Sequence, residues 1–232
     1  MNKTEFIEAV SKLGLKVTSE HIRLLEKYYE LLVEWNKKMN LTAITDHDEV
    51  YLKHFYDSLT LIRVIDLNHE QSLCDIGTGA GFPGIVLKIF YPHLVLTLVD
   101  ALNKRIKFLE VVVRELGLEK VTLIHDRAEE YARKNREKFD VVTARAVASL
   151  NILLEYSLPL VKVNKHFIAM KGNENTKNSL NALALLSGKI VLEDEFMLPR
   201  ENAKRNLIKV IKVKETATRY PRKFSEIKKR PL

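Results

Sequence analysis

The chain has 232 residues, 46% hydrophobic and 29% charged, with eight Gly and six Pro, which suits one α/β domain plus a small extra element and excludes a disordered or fibrous protein. No apolar run approaches a membrane span, the opening MNKTEFIEAV shows no signal peptide, and a single cysteine, Cys74, excludes internal disulfides, so a cytoplasmic protein is expected. The net charge of +8 is uneven: residues 209–232 hold nine Lys or Arg against Glu215 and Glu226, a pattern expected for contact with polyanions or, alternatively, for a solvated, partly disordered end.

In chain order, the spacing predicts a short helix from Thr4 to Leu13 closed by Gly14. Ile22, Leu25, Tyr28, Tyr29, Leu32, Trp35 and Met39 recur every three or four residues and predict a second amphipathic helix over 18–39. A third is expected from Asp46 to Ile65, capped by Asp46 or Thr45, with Tyr51, Phe55, Leu59 and Ile62 on one face. Residues 1–66 therefore read as a helical region. From residue 72 short apolar runs alternate with helical stretches, as in βαβ units with a parallel sheet. Strands are predicted at Leu73 to Ile76, Leu94 to Val99, Val121 to His125, Phe139 to Thr143 and His166 to Met170. The intervening helices fall at roughly 82–90, 104–116, 127–136, 149–161 and 176–187. Ile190 to Leu198 and Leu207 to Val213 predict a hairpin at the sheet edge. A mostly parallel seven-stranded sheet with an antiparallel C-terminal hairpin is the Rossmann-like class I methyltransferase arrangement, an α/β fold, here expected over 67–214 and followed by a basic tail, 215–232.

The turn after the first predicted strand, Asp75-Ile76-Gly77-Thr78-Gly79-Ala80-Gly81, lets a ligand approach bare backbone and aims a helix N-terminus at it. Gly79 to Gly84 also satisfies the dinucleotide fingerprint, so spacing alone does not separate NAD from S-adenosylmethionine. Asp75 does: a carboxylate there repels a pyrophosphate and attracts the cationic methionine end of S-adenosylmethionine. Asp100, followed by Ala101, ends the second strand 23 residues after Gly77, where an acid can take both ribose hydroxyls. Asp126-Arg127-Ala128-Glu129 opens the helix that meets the adenine in such folds, although Glu129 in a first helical turn is equally explained by the helix dipole.

The methyl acceptor is narrowed by exclusion. Exocyclic amines call for an Asn/Asp-Pro-Pro-aromatic loop after the fourth strand, and Thr143-Ala144-Arg145-Ala146-Val147-Ala148 stands there instead. Pyrimidine C5 chemistry needs a cysteine nucleophile, whereas Cys74 reads as core. A ring nitrogen such as guanine N7 has a free lone pair and needs mainly positioning. Arg145 is the leading candidate to orient such a base, with pairing to a nearby acid as its other reading, and Lys171 is a further candidate. No His or Cys spacing suggests a metal.

With these motifs in place the sequence resembles the RsmG (GidB) family, bacterial methyltransferases of guanine N7 in 16S ribosomal RNA. The likeness rests on Trp35 to Ile44, His54-Phe55-Tyr56-Asp57-Ser58-Leu59, Asp75 to Gly84, Leu98 to Arg105, Arg127 to Glu130, Arg145 to Leu150 and Tyr220-Pro221-Arg222-Lys223. The resemblance implies S-adenosylmethionine, leaving as S-adenosylhomocysteine, held at Gly77, Phe82, Ala128, Glu129 and Arg145 with Asp100 at the ribose. Asp75, Gly79, Gly81 and Ala101 complete the expected cofactor set. It also implies that Arg127, Arg145 and Lys171 line the site that receives the RNA; the expected partner is 16S ribosomal RNA, alone or within the small ribosomal subunit, and a monomer is expected. Lys53 replaces the family's usual Arg, which keeps the charge and loses bidentate phosphate contact. Asn40, Thr42, His54 and Phe55 are expected to be chiefly structural. The rivals are a methyltransferase of this fold acting on another RNA, a small molecule or a protein, an NAD-dependent oxidoreductase, and a non-catalytic RNA-binding module.

Overall fold

The computed structural model describes residues 1–145 and 148–232; the expected motif positions Ala146 and Val147 lie outside the described residues. Helix α1, Lys3–Lys12, starts in a capping box in which Asn2 accepts from the Glu5 amide and Glu5 accepts from the Asn2 amide. Helix α2, Ser19–Met39, is capped by Thr18 and ends where Asn40 turns left-handed at φ 48°. Its buried residues, Leu24, Leu25, Tyr28, Leu31 and Leu32, follow the apolar spacing read from sequence.

The third expected helix is interrupted. Asp46 caps α3, His47–Val50, the backbone then widens into a π-helical turn, Tyr51–Tyr56, and α4, Asp57–Leu59, and a 3-10 turn, Thr60–Arg63, finish the run. The wide turn changes which carbonyls are used: the Asp57 N–H bonds the Leu52 and His54 carbonyls, and the Lys53 carbonyl is taken by a side chain from elsewhere.

Strands β1, Ser72–Ile76, β2, Val95–Asp100, β3, Val121–His125, β4, Phe139–Arg145, and β5, Val161–Lys171, run parallel in the spatial order 3-2-1-4-5. Strand β7, Lys204–Lys212, pairs antiparallel with β5, and β6, Gly188–Met197, closes the seven-stranded sheet beyond it. Strand β5 is longer than expected because α8, Leu150–Ser157, gives way to a 3-10 turn at Leu158–Leu160 around Pro159, which cannot donate into the helix.

Period-two alternation sorts the apolar side chains into two layers. Leu73, Leu96, Leu98 and Ile168 pack toward α1, α2, α5, Gly84–Phe90, and α6, Asn103–Glu115. Cys74, Ile76, Val142 and Phe167 pack toward α7, Ala128–Lys134, α8 and α9, Leu180–Leu186. Cys74 is fully buried, as a core residue.

The basic end of the chain is packed, not free. Buried Lys212 meets Glu137 at 2.9 Å, and Arg222 holds the fully buried Glu155 through Nε at 2.8 Å and Nη2 at 2.7 Å. Arg133 and Arg136 of the α7 side donate to the Pro221 and Tyr220 carbonyls, and a last helix, α10, Phe224–Lys229, buries Ile227. Two of the nine cations read as a polyanion-binding patch or a solvated end are therefore paired with carboxylates of this chain.

Candidate active site

In this strand order the chain reverses direction between β1 and β4, and a ligand crevice is expected outside the carboxyl ends of the strands there. A cavity of about 730 Å³ occupies that place. One wall is the turn after β1 with the ends of β2 and β5; the other comes from residues 41–57 and from Arg205 at the start of β7.

On the sheet side, Gly77 and Gly79 take φ 65° and 63°, and a Cβ on Gly79 would meet nothing nearer than the Gly77 carbonyl at 4.0 Å. The loop thus offers bare backbone to the cavity. Asp100, 2% exposed, accepts from the Gly79 amide at 2.9 Å and the Leu102 amide at 2.9 Å, and Arg105 Nη1 lies 3.1 Å away. Its position ties the second strand's end to the loop, so ribose hydroxyls bonded there would sit against the glycines.

Asp75 is placed differently from expectation. It lies beneath the loop, fully buried and off the cavity wall, where Oδ2 accepts from Thr78 Oγ1 at 2.7 Å and from the Gly84 amide at 3.0 Å. Burial pushes its carboxyl up to about 6 against the lowering effect of those two bonds. The physical reason is the sheet's alternation, which turns its side chain inward under α5. Gly81 is also off the wall. At φ 100° it seats the loop on α2 and α6, since a Cβ there would lie 2.6 Å from Tyr28 Oη and 2.9 Å from Leu109 Cδ2. Tyr28 Oη in turn donates to the Ala80 carbonyl.

The helical side is a connected cluster. Phe82 stacks on His54, centroids 4.5 Å apart, and on Tyr28, 5.3 Å apart, and Arg145 lies over the same ring at 5.2 Å. Arg145 Nη1 donates to Asp57 Oδ2 at 2.9 Å and to the Lys53 carbonyl at 2.9 Å. Arg205 Nε donates to the other oxygen of Asp57 at 2.9 Å. His54 Nδ1 lies 3.3 Å from Arg145 Nη2 and Nε2 lies 3.0 Å from Thr42 Oγ1. Nδ1 also lies 3.1 Å from the Lys53 carbonyl, so both ring nitrogens of His54 are held by the wall. Burial and the neighbouring Arg145 push the imidazole down to about 3, so the ring is neutral at physiological pH.

Of the expected site residues, the cavity brings together Gly77, Gly79, Phe82, Asp100, Ala101, Arg145 and Lys171. Arg127, Ala128 and Glu129 stand outside its wall. Arg127, half exposed, stacks over Phe224 of α10 at 4.6 Å and lies 3.8 Å from Glu129, whose buried Oε1 has no hydrogen-bond partner among the described residues. Arg145 keeps both of its expected attributes, since it lines the cavity and pairs with an acid. Lys171 is largely committed, donating to the Ala148 carbonyl and pairing with Glu174 at 2.9 Å.

Sequence reasoning passed over Asp57, Arg205 and Arg105, and read Thr42 and His54 as structural. Asp57 and His54 sit in a motif that carried the resemblance, which was the available signal; Arg205 lies in no motif. Lys53 reaches the cavity with its ammonium held by Glu49 and Glu201, each at 2.8 Å. Among the described residues no group of His, Cys, Asp and Glu could hold a metal, and no helix is long and apolar enough to cross a membrane.

Comparison with solved structures shows the same fold. Residues covering 74% of this chain align with 73% of M. capricolum TrmK in complex with S-adenosylhomocysteine at TM-score 0.54 and 20% identity. A 16S rRNA adenine-N1-methyltransferase from Catenulisporales acidiphilia aligns over 65% of this chain and 88% of its own at TM-score 0.53 and 14% identity. Among curated relatives, the ribosomal RNA small subunit methyltransferase G of an Exiguobacterium species is 48% identical with both chains covered in full. That of Geobacillus thermodenitrificans is 49% identical, again over all of both chains. The family model for GidB, rRNA small subunit methyltransferase G, matches residues 21–208, and the chain belongs to that family.

Proposed function

We propose that this chain transfers a methyl group from S-adenosylmethionine to N7 of a guanine in 16S ribosomal RNA. The observation that carries the reading is one cavity joining a bare glycine loop and Asp100 to a wall of guanidinium groups, with Cys74 sealed in the core. The loop fits the cofactor because it presents no side chain at Gly77 or Gly79 and places a carboxylate beside them. Bound there, S-adenosylmethionine supplies a methyl group on a sulfonium: the N7 lone pair forms the new C–N bond as the C–S bond breaks with its electrons going to sulfur.

No proton leaves N7, so no general base is required, and the positive charge passes from sulfur to the guanine ring. The residues therefore have to orient and not to deprotonate. A donor aimed at N7 would block its lone pair, so Arg145 and Arg205 serve by binding O6 or a phosphate. The buried Phe82 ring, stacked on His54 and Tyr28 and under Arg145, holds that guanidinium in place at the cavity edge. We further propose that the protein acts as a cytoplasmic monomer and that Arg127 and the exposed cations of residues 223–230 meet RNA phosphates outside the cavity.

The test is nucleoside mass spectrometry of 16S ribosomal RNA from cells with and without the gene, joined to calorimetry with S-adenosylhomocysteine and NAD. Loss of one 7-methylguanosine and binding of S-adenosylhomocysteine are expected. An unchanged nucleoside profile, or binding of NAD alone, would overturn the proposal.

A further inference from the structure

Among the described residues, Asp57 is the one carboxylate on the helical wall that meets two guanidinium groups of the cavity. It is 4% exposed, and its two oxygens are divided between them, Oδ2 to Arg145 Nη1 at 2.9 Å and Oδ1 to Arg205 Nε at 2.9 Å. The partners are 88 and 148 residues away in sequence, one at the end of β4 and one at the start of β7. Both arginines are mostly buried, with side chains 15% and 25% exposed, so their charges are poorly screened by solvent.

Two such cations beside a pocket that receives a sulfonium would repel it. One shared carboxylate lowers the local charge from +2 to +1 and fixes both guanidiniums at the same time. Arg145 also donates to the Lys53 carbonyl and faces His54, and Arg205 donates to the Lys204 carbonyl, which leaves Arg145 Nε, one Nη2 N–H of Arg145 and the Nη2 group of Arg205 to meet an O6 or a phosphate oxygen. We infer that Asp57 is a positioning and charge-balancing residue, one that sets how strongly the cavity prefers the cationic methyl donor to its neutral thioether product.

This rests on the cofactor assignment above, and its own signature is a ratio of affinities. S-adenosylmethionine carries one more positive charge than S-adenosylhomocysteine, and the two are otherwise nearly the same shape. Asp57→Asn keeps the size of the side chain and removes the charge. It is expected to weaken S-adenosylmethionine relative to S-adenosylhomocysteine by roughly three- to tenfold, the effect of one uncompensated charge a few ångströms beyond contact at an intermediate dielectric. Asp57→Glu, which restores the charge, should bring the ratio back toward that of the unsubstituted protein. Arg205→Gln should move it the other way, favouring S-adenosylmethionine, because Asp57 is then matched by Arg145 alone.

Calorimetric titration of the full chain with each ligand reads all three. Equal loss of both ligands in Asp57→Asn, with the ratio unmoved, would overturn the inference and leave Asp57 a structural bridge. If Asp57→Asn does not fold, Arg205→Gln decides: a ratio that is unchanged or shifted toward S-adenosylhomocysteine overturns it equally. An unsubstituted protein that binds neither ligand would instead overturn the cofactor assignment, and the inference would fall with it.

Discussion

The two walls of the cavity are built on different principles. The sheet wall is made of backbone: glycines at positive φ, the Gly79 amide on Asp100, and Asp75 buried beneath. The helical wall is made of side chains that reach across the chain, from Thr42, His54 and Asp57 to Arg145 and Arg205. The difference teaches that the sheet wall is fixed by local chain geometry and tolerates few substitutions of shape, whereas the helical wall is fixed by charge pairing and responds to changes of charge. The two walls also titrate in opposite senses.

The largest expected effect lies in that opposition. His54 has its folded-state value pushed down to about 3 from 6.5, so the unfolded chain takes up a proton that the native state refuses. Its contribution to stability is complete above pH 6.5 and is lost as pH falls toward 3, amounting to as much as about 5 kcal/mol over the full window. In His54→Gln the acid-side fall in stability, measured by urea unfolding between pH 7 and 4.5, should be clearly shallower than in the unsubstituted protein. Equal slopes would show that the imidazole is not held neutral in the wall.

Next is Gly81→Ala, which strikes where the glycine loop seats on α2 and α6. The residue sits at φ 100°, and the added methyl would press on Tyr28 Oη at 2.6 Å and Ile85 Cγ1 at 2.7 Å. Left-handed strain and overpacking together predict a loss of about 3–4 kcal/mol in thermal or urea unfolding. A loss below about 1 kcal/mol would mean that the loop is not anchored on α2.

The smallest of the three belongs to Asp75, whose carboxyl is raised from 3.8 to about 6 by burial. Here the native state holds the extra proton, so the contribution is complete below pH 3.8 and is lost as pH rises through 6. The change is about 3 kcal/mol. Asp75→Asn should remove this term, so that stability rises more steeply with pH between 4.5 and 6.5 than in the unsubstituted protein. A flatter profile would contradict the buried placement of Asp75.

How much of this is legible in sequence follows the same division. The strands, the glycine turn and Asp100 obey short-range spacing, and apart from the early start of β5 at Val161 the strand boundaries fall within three residues of the expected ones. The side on which Asp75 points was misjudged because a charge argument about ligands was applied to a residue whose alternation buries it. Asp57 and Arg205 are 148 residues apart, and no periodicity links them. Arg222 and Glu155 likewise could not be paired in advance, so the tail's charge overstated how many of its cations are free. The π turn at Tyr51–Tyr56 left no trace either, since the apolar spacing of residues 46–65 suits an unbroken α-helix.

That turn has a consequence for how relatives of this chain can differ in length. A π turn holds one residue more than the α turn it replaces. Losing any one residue between positions 51 and 56 would let the segment rewind as an α-helix. All that follows would then rotate by about 100° and draw back by about 1.5 Å. Asp57 would leave both arginines without a single contacting residue having been replaced. Substitutions along this stretch change the wall one group at a time, but a gap there dismantles it at once, which makes chain length within 51–56 a more sensitive mark of a working site than the identity of its outward-facing residues.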